Sequence, residues 1–186
     1  VLARTDVVWP SDETGPRDRL AIQHGFLSAF PSWTMSSWGT DEPDLIDPDP
    51  ASLDFRFVVA MAGVLGMGAD LLAWDDATRE RARAHIARYR AIRRIIFDGG
   101  VRRHGAPGDD VYAVQYTIDD AAVVLAWKRP GAPAEARIPL DGLPSGDRFA
   151  CEDDGDVFSG AELSTAGLPV RWKHGDCDVI VLRKVV

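Results

Sequence analysis

The sequence predicts an α/β portion over residues 1–98 followed by an all-β portion over residues 99–186, the latter an antiparallel β-sandwich. Three observations carry this. A short apolar run, Asp6 to Trp9, breaks at a turn and gives way to a helical pattern from Pro16. Apolar residues at Ala82, Ile86, Tyr89, Ile92 and Ile96 then recur with the 3.6-residue period of a helix. After Asp98-Gly99-Gly100 that period disappears, and short β-rich runs alternate with turn residues.

The elements follow in order. Asp6 to Trp9 reads as a short buried strand. Gly15-Pro16 starts a helix, since proline at the first helical position lacks an N–H that would be unsatisfied there anyway. Leu20, Gln23, His24 and Leu27 continue it to about Phe30. A short strand is expected around Trp33 to Met35. Gly39 to Asp54, with its aspartates and prolines, reads as a long loop. Phe55 to Leu65 is apolar nearly all round and reads as one buried helix. Asp76 is the expected N-cap of the next helix, to about Ile96. Beyond it, strands are expected at Val111 to Thr117, Ala121 to Lys128, Arg137 to Leu140, Arg148 to Glu152 and Asp178 to Arg183. The turn Asp153-Asp154-Gly155-Asp156 suits a hairpin.

Composition excludes several function classes. The formal charge of -8 argues against nucleic acid as a partner, because phosphate affinity needs a basic surface. Seven arginines between Arg79 and Arg94 read as a solvated helix face. No apolar run approaches the ~20 residues of a membrane span, so no membrane partner is expected. Cys151 and Cys177 lack metal-ligand spacing and read as two separate thiols, with pairing left open. The acidic stretch Asp41 to Asp49 lacks the glycine and terminal glutamate of a calcium hand. No metal and no cofactor are expected.

The chemistry-bearing candidate is Asp12, within Trp9-Pro10-Ser11-Asp12-Glu13-Thr14. A carboxylate at the C-terminal tip of a strand, just before a helix, is where an α/β barrel places catalytic groups. On local grounds alone an aspartate there also suits a turn or helix cap.

The words around Asp12 narrow the reading. Leu2-Ala3-Arg4-Thr5-Asp6, Trp9, Ser11-Asp12, Thr14, Asp18-Arg19-Leu20 and Ile22-Gln23 resemble the seventh-strand block of melibiase-type α-galactosidases, glycoside hydrolase family 36. Phe30-Pro31, Met35, Trp38, Thr40-Asp41 and Pro43 resemble the eighth-strand region of that family. Arg56-Phe57, Ala60-Met61, Gly63, Leu65-Gly66, Tyr89, Ile92 and Arg93 resemble its last barrel helices. Phe158 to Leu163 and Gly167-Leu168 resemble its C-terminal β-domain.

The resemblance implies that residues 1–98 are the last two strand–helix units of a (β/α)8 catalytic barrel. It implies a parent enzyme that is a retaining α-galactosidase, cleaving terminal α-galactose from melibiose- or raffinose-type oligosaccharides, and a homo-oligomer. The chain begins with Val1 and contains neither the family's glycine-rich Arg-x-Asp block nor its nucleophile. It therefore reads as a C-terminal piece, inactive alone. By resemblance Asp12 is the acid/base, with Trp9 and a second carboxylate raising its pKa. Trp9 and Trp38 are expected substrate contacts, with Met35 at the same rim, and plain packing is the competing role. Arg19 is expected to pair with Asp12 or Asp18, or to lie solvated on its helix. Gly15 and His24 depart from the family wording, which has Asp and Tyr there. Rival readings are an α-N-acetylgalactosaminidase, a galactosyl transferase, or a non-catalytic carbohydrate-binding module with Trp127 and Trp172 as exposed platforms.

Overall fold

The computed structural model describes residues 5–11, 15–40 and 51–185. The chain divides into two compact units, Val1–Phe97 and Asp98–Val186.

In the first unit, Val8 lies parallel to Met35, with Val8 N donating to Thr34 O (2.7 Å) and Ser36 N to Val8 O (2.8 Å). Strand β1 (Ser36–Thr40) continues from there and pairs in parallel with β2 (Val64–Gly68), Trp38 opposite Gly66. Helix α1 (Pro16–Phe26) follows the Val8 segment, α2 (Leu53–Ala60) follows β1, and α3 (Asp76–Asp98) follows β2. Among the described residues the Val8 bridge segment, β1 and β2 each precede a helix, and one of these segments was not marked as a strand in the sequence. That segment is β2. Its first residues, Val64 and Leu65, are apolar and read as the tail of the helix expected over Phe55 to Leu65, and Gly66 to Gly68 were given no element. The chain instead leaves the helix after Ala60, and Gly63 brings its backbone against Met35. A Cβ at Gly63 would sit 2.5 Å from the Met35 carbonyl oxygen, so the two segments meet only through glycine.

Two further boundaries shift. Residues Ser32–Thr34 form a 3-10 turn rather than a strand, closed by Met35 N on Ser32 O, and the strand starts at Ser36. The cap of α3 is Asp75, not Asp76: its Oδ1 accepts from Thr78 N at 2.7 Å. That hydrogen bonding holds the Asp75 carboxyl below its ordinary range. Ser52 caps α2 in the same way, through Phe55 N. Side chains alternate across β1, so Met35, Ser37 and Gly39 share the face toward the helices. Gln23 Nε2 reaches Ser37 Oγ from α1 (2.6 Å), and Ser37 Oγ donates to Val59 O (3.2 Å). Phe55, Phe57, Met61, Ile92 and Ile96 of this unit are all buried. Each such side chain contributes about 1.5–3 kcal/mol by leaving water.

The second unit is a six-stranded antiparallel sheet in the order β3-β4-β5-β10-β7-β8. Its strands are β3 (Gly100–His104), β4 (Val111–Ile118), β5 (Ala121–Lys128), β7 (Arg148–Cys151), β8 (Val157–Ser159) and β10 (Cys177–Val185). A two-stranded ribbon, β6 (Ala136–Ile138) with β9 (Leu168–Val170), and the short helix α4 (Gly160–Thr165) complete it. Ile138, Leu168 and Leu163 join one core with Ala122, Val124, Phe149, Ile180 and Leu182 of the large sheet. The acidic turn after β7 does form a hairpin with β8, with Gly155 at φ +76°. Strands β3, β8 and β9 are too short or too polar to show a period-2 pattern, and the sequence reading did not mark them.

Candidate active site

The parallel strands have a second face, away from the helices. On it stand Ser36, Trp38 and Thr40 of β1, with Val64, Gly66 and Gly68 opposite them in register. Because Val8 pairs with Met35, its neighbours Val7 and Trp9 point to this face as well. Parallel sheets are normally covered on both faces. Here Val7 is 40% and Trp9 55% exposed.

Trp9 and Trp38 are brought together: their rings stack with centroids 5.2 Å apart and planes 12° apart. Trp38 Nε1 donates to Ser36 Oγ at 2.7 Å. Asp12 lies outside the described residues, as does the acidic stretch Asp41 to Asp49. Met35 is fully buried at the start of β1, on the helix side, and is not a rim residue. Alternation puts it on the opposite face from Trp38.

Two buried arginines fix the end of β1, and the sequence reading anticipated neither. Arg19 is 2% exposed and donates through Nη1 to the Trp38 backbone carbonyl, so it is not a solvated helix-face residue. Arg56 donates from Nε to Ala51 O (2.9 Å) and from Nη1 to Thr40 O (2.7 Å). A guanidinium on a carbonyl oxygen is a charge-assisted bond, stronger than an amide–amide one. Together they hold the segment carrying Trp38 to α1 and α2.

A second polar group lies between α2 and α3. Asp54 Oδ1 is 2.7 Å from both Arg81 Nε and His85 Nε2, and Oδ2 meets Arg81 Nη2. Burial opposes ionisation of Asp54, but the hydrogen bonds and charges of Arg81 and His85 prevail and hold its carboxyl below the ordinary range. His85 also stacks on Phe57, centroids 4.9 Å apart. The available signal was His85 itself, a polar residue three after Ala82 and four before Tyr89 on the buried stripe of α3. Tyr89 Oη donates to Gly63 O (2.7 Å) and accepts from Leu65 N (3.2 Å), tying α3 to the start of β2. Burial pushes the Tyr89 phenol up.

In the second unit, Trp127 and Trp172 are only 2% and 9% exposed. Trp127 stacks on Tyr112, and Lys128 Nζ lies 5.4 Å from the Trp172 ring centre. Neither ring is a sugar platform. Cys151 and Cys177 are both buried thiols outside any disulfide, and burial pushes the Cys151 thiol up. Cys151 pairs with Leu182 of β10, five residues from Cys177, about 16 Å along a strand.

The sequence profile of the melibiase family matches residues 1–99. The chain belongs to the melibiase family. Curated relatives in it include the α-galactosidase AgaA of Geobacillus stearothermophilus, 28% identical over 90% of this chain and 24% of its own length. The α-galactosidase Mel36A of Lactobacillus acidophilus is 27% identical over 92% of this chain and 24% of its own length. The crystal structure of the GH36 α-galactosidase AgaB from Geobacillus stearothermophilus superimposes with a TM-score of 0.89 at 26% identity, over 99% of this chain and 26% of AgaB. An AgaA variant solved in complex with raffinose gives 0.89 at 25% identity, over 99% of this chain and 26% of AgaA. The chain thus spans about a quarter of the length of these relatives. The mixed α/β fold with its antiparallel sheet is that of the GH36 galactosidase region.

Proposed function

We propose that this chain is the C-terminal part of a retaining α-galactosidase that releases terminal α-D-galactose from raffinose-type oligosaccharides. The observation that carries the reading is the family match, which covers the entire parallel-strand unit, together with relatives that are α-galactosidases. The AgaA variant bound to raffinose supports the substrate class. In this reading residues 1–98 are the end of a (β/α)8 barrel, with the face bearing Trp9 and Trp38 turned to the barrel interior. Residues 99–186 are an antiparallel β-sandwich, in which the β6–β9 ribbon is the second layer. Burial of Trp127 and Trp172 speaks against the binding-module alternative.

The mechanism needs two carboxyl groups about 5–5.5 Å apart across the scissile bond. Asp12 is the acid/base. It protonates the leaving oxygen, then takes the proton of the water that attacks the galactosyl-enzyme. The nucleophile comes from another part of the parent. Trp9 and Trp38 form the aromatic wall on the sugar side, held at the strand end by Arg19 and Arg56.

The test is to follow hydrolysis of raffinose by the full-length enzyme with proton NMR. Galactose should appear first as the α-anomer. First appearance of the β-anomer would refute retention. Release of N-acetylgalactosamine but not galactose from matched aryl glycosides would move the enzyme to the rival specificity.

A further inference from the structure

The two tryptophans of the aromatic wall have unequal surroundings. Trp38 stands opposite Gly66, and its indole lies across β2. A Cβ built on Gly66 would come within 2.8 and 2.9 Å of Trp38 Cε2 and Cδ2, the two atoms shared by the fused rings. A Cβ on Gly68 would come 3.2 Å from Cε3. Contact at the fused bond means that the ring presents its face, not its edge, to the two glycines. Gly66 and Gly68 lie two residues apart, so they share one side of the strand and make a flat floor. The Trp9 ring stacks on Trp38 with an offset, centroids 5.2 Å apart, and Trp38 is half-buried. Its Nε1 is spent on Ser36 and its carbonyl on Arg19. Trp9, in contrast, has one ring face on Trp38 and stays 55% exposed.

We propose that Trp9 alone offers a ring face to the sugar, and that Trp38 is a positioning residue, clamped between the Gly66–Gly68 floor and Trp9, that sets the height and tilt of the Trp9 ring. This rests on the α-galactosidase reading above. Trp38 acts on substrate only through Trp9, and Gly66 acts only through Trp38. An aromatic face packs against the C–H surface of a sugar ring at a fixed separation. The glycine floor therefore fixes how deep the sugar sits relative to the end of the Trp9 strand, from which Asp12 follows three residues later.

The test is a double-mutant cycle in the full-length enzyme, read as KM for raffinose. Trp9→Ala should raise KM about tenfold, the scale of one lost aromatic contact. Trp38→Ala should raise it by a similar factor, and Trp38→Phe should restore most of the loss because a flat ring still fills the gap. In the Trp9→Ala background, Trp38→Ala should cost nothing more. An independent readout is the exciton couplet of the stacked indoles in circular dichroism. It should vanish equally in Trp9→Phe and Trp38→Phe, and change shape in Gly66→Ala, where the added methyl lifts Trp38. Multiplicative losses in the cycle, about a hundredfold for the pair, would show that Trp38 touches the sugar itself and would overturn the proposal. So would an unchanged KM in Trp38→Ala. Failure of the unsubstituted enzyme to cleave any α-galactoside would instead overturn the functional reading, and the proposal with it.

Discussion

His85 of α3 holds its Nε2 2.7 Å from Oδ1 of Asp54, in the first turn of α2, and both residues are buried. Arg81 closes the group from the solvent side. The pair joins two helices that lie 31 residues apart in sequence at their anchor points.

Asp54→Asn should therefore loosen the α2–α3 contact. The expected loss is about 2 kcal/mol, the scale of a hydrogen bond to a charged group, measured by urea unfolding near neutral pH. The sign with pH follows from the lowered Asp54 pKa. The carboxylate's contribution is complete above its unfolded pKa and is lost as pH falls through the folded value. The difference between wild type and Asp54→Asn should shrink in acid. A difference constant across that window would show that Asp54 is not ionised in the folded chain.

Two glycines should respond oppositely to the same methyl group. Gly25 lies inside α1, and a Cβ there meets nothing within 4 Å. Gly25→Ala should stabilise the chain by about 0.5–1 kcal/mol through helix propensity. Gly63→Ala should destabilise it by about 1–3 kcal/mol or more, since its Cβ would lie 2.5 Å from the Met35 carbonyl oxygen. Thermal unfolding of both variants checks this. A neutral Gly63→Ala would mean that α2 and the start of β2 do not meet β1 as described.

The cysteines should behave as two shielded, reduced thiols. Titration with a thiol reagent in denaturant without reductant should find both of them, and the native protein should react slowly. Burial and the raised Cys151 pKa both suppress the thiolate. Full protection in denaturant until a reductant is added would show a Cys151–Cys177 bond.

How much of this was legible in the sequence depended on whether an element announces itself locally. The buried stripe of α3, the change of grammar near Gly99, and β4, β5 and β10 follow from periodicity and apolar runs over many residues. Strand β2 did not, because what makes it a strand is non-local: Gly66 and Gly68 receive the Trp38 ring, and Gly63 receives the Met35 backbone. Arg19 was expected to pair with a nearby aspartate or to lie solvated, and Arg56 was given no role of its own. Nothing in their own neighbourhood reveals that each meets a carbonyl at or near the end of β1. The stacking of Trp9 on Trp38 was foreshadowed only by their places on adjoining strands, and which ring stays open was not foreshadowed at all. The turn holding Asp12 was prominent in the sequence yet lies outside the described residues, so its role rests on the family.

The most direct test of the whole account is Asp12→Ala in the full-length enzyme, assayed on raffinose and on a dinitrophenyl α-galactoside with and without azide. Raffinose has a poor leaving group and needs the proton, whereas the activated phenol hardly does. The account predicts a large rate loss for raffinose, about 10²–10⁴-fold, and a far smaller effect on the first step with the dinitrophenyl substrate. The galactosyl-enzyme should accumulate, since water has lost its base. Azide needs no base and should restore turnover, yielding an α-configured galactosyl azide because two inversions give retention. Equal losses on both substrates, with no rescue by azide, would contradict the assignment of Asp12 as the acid/base.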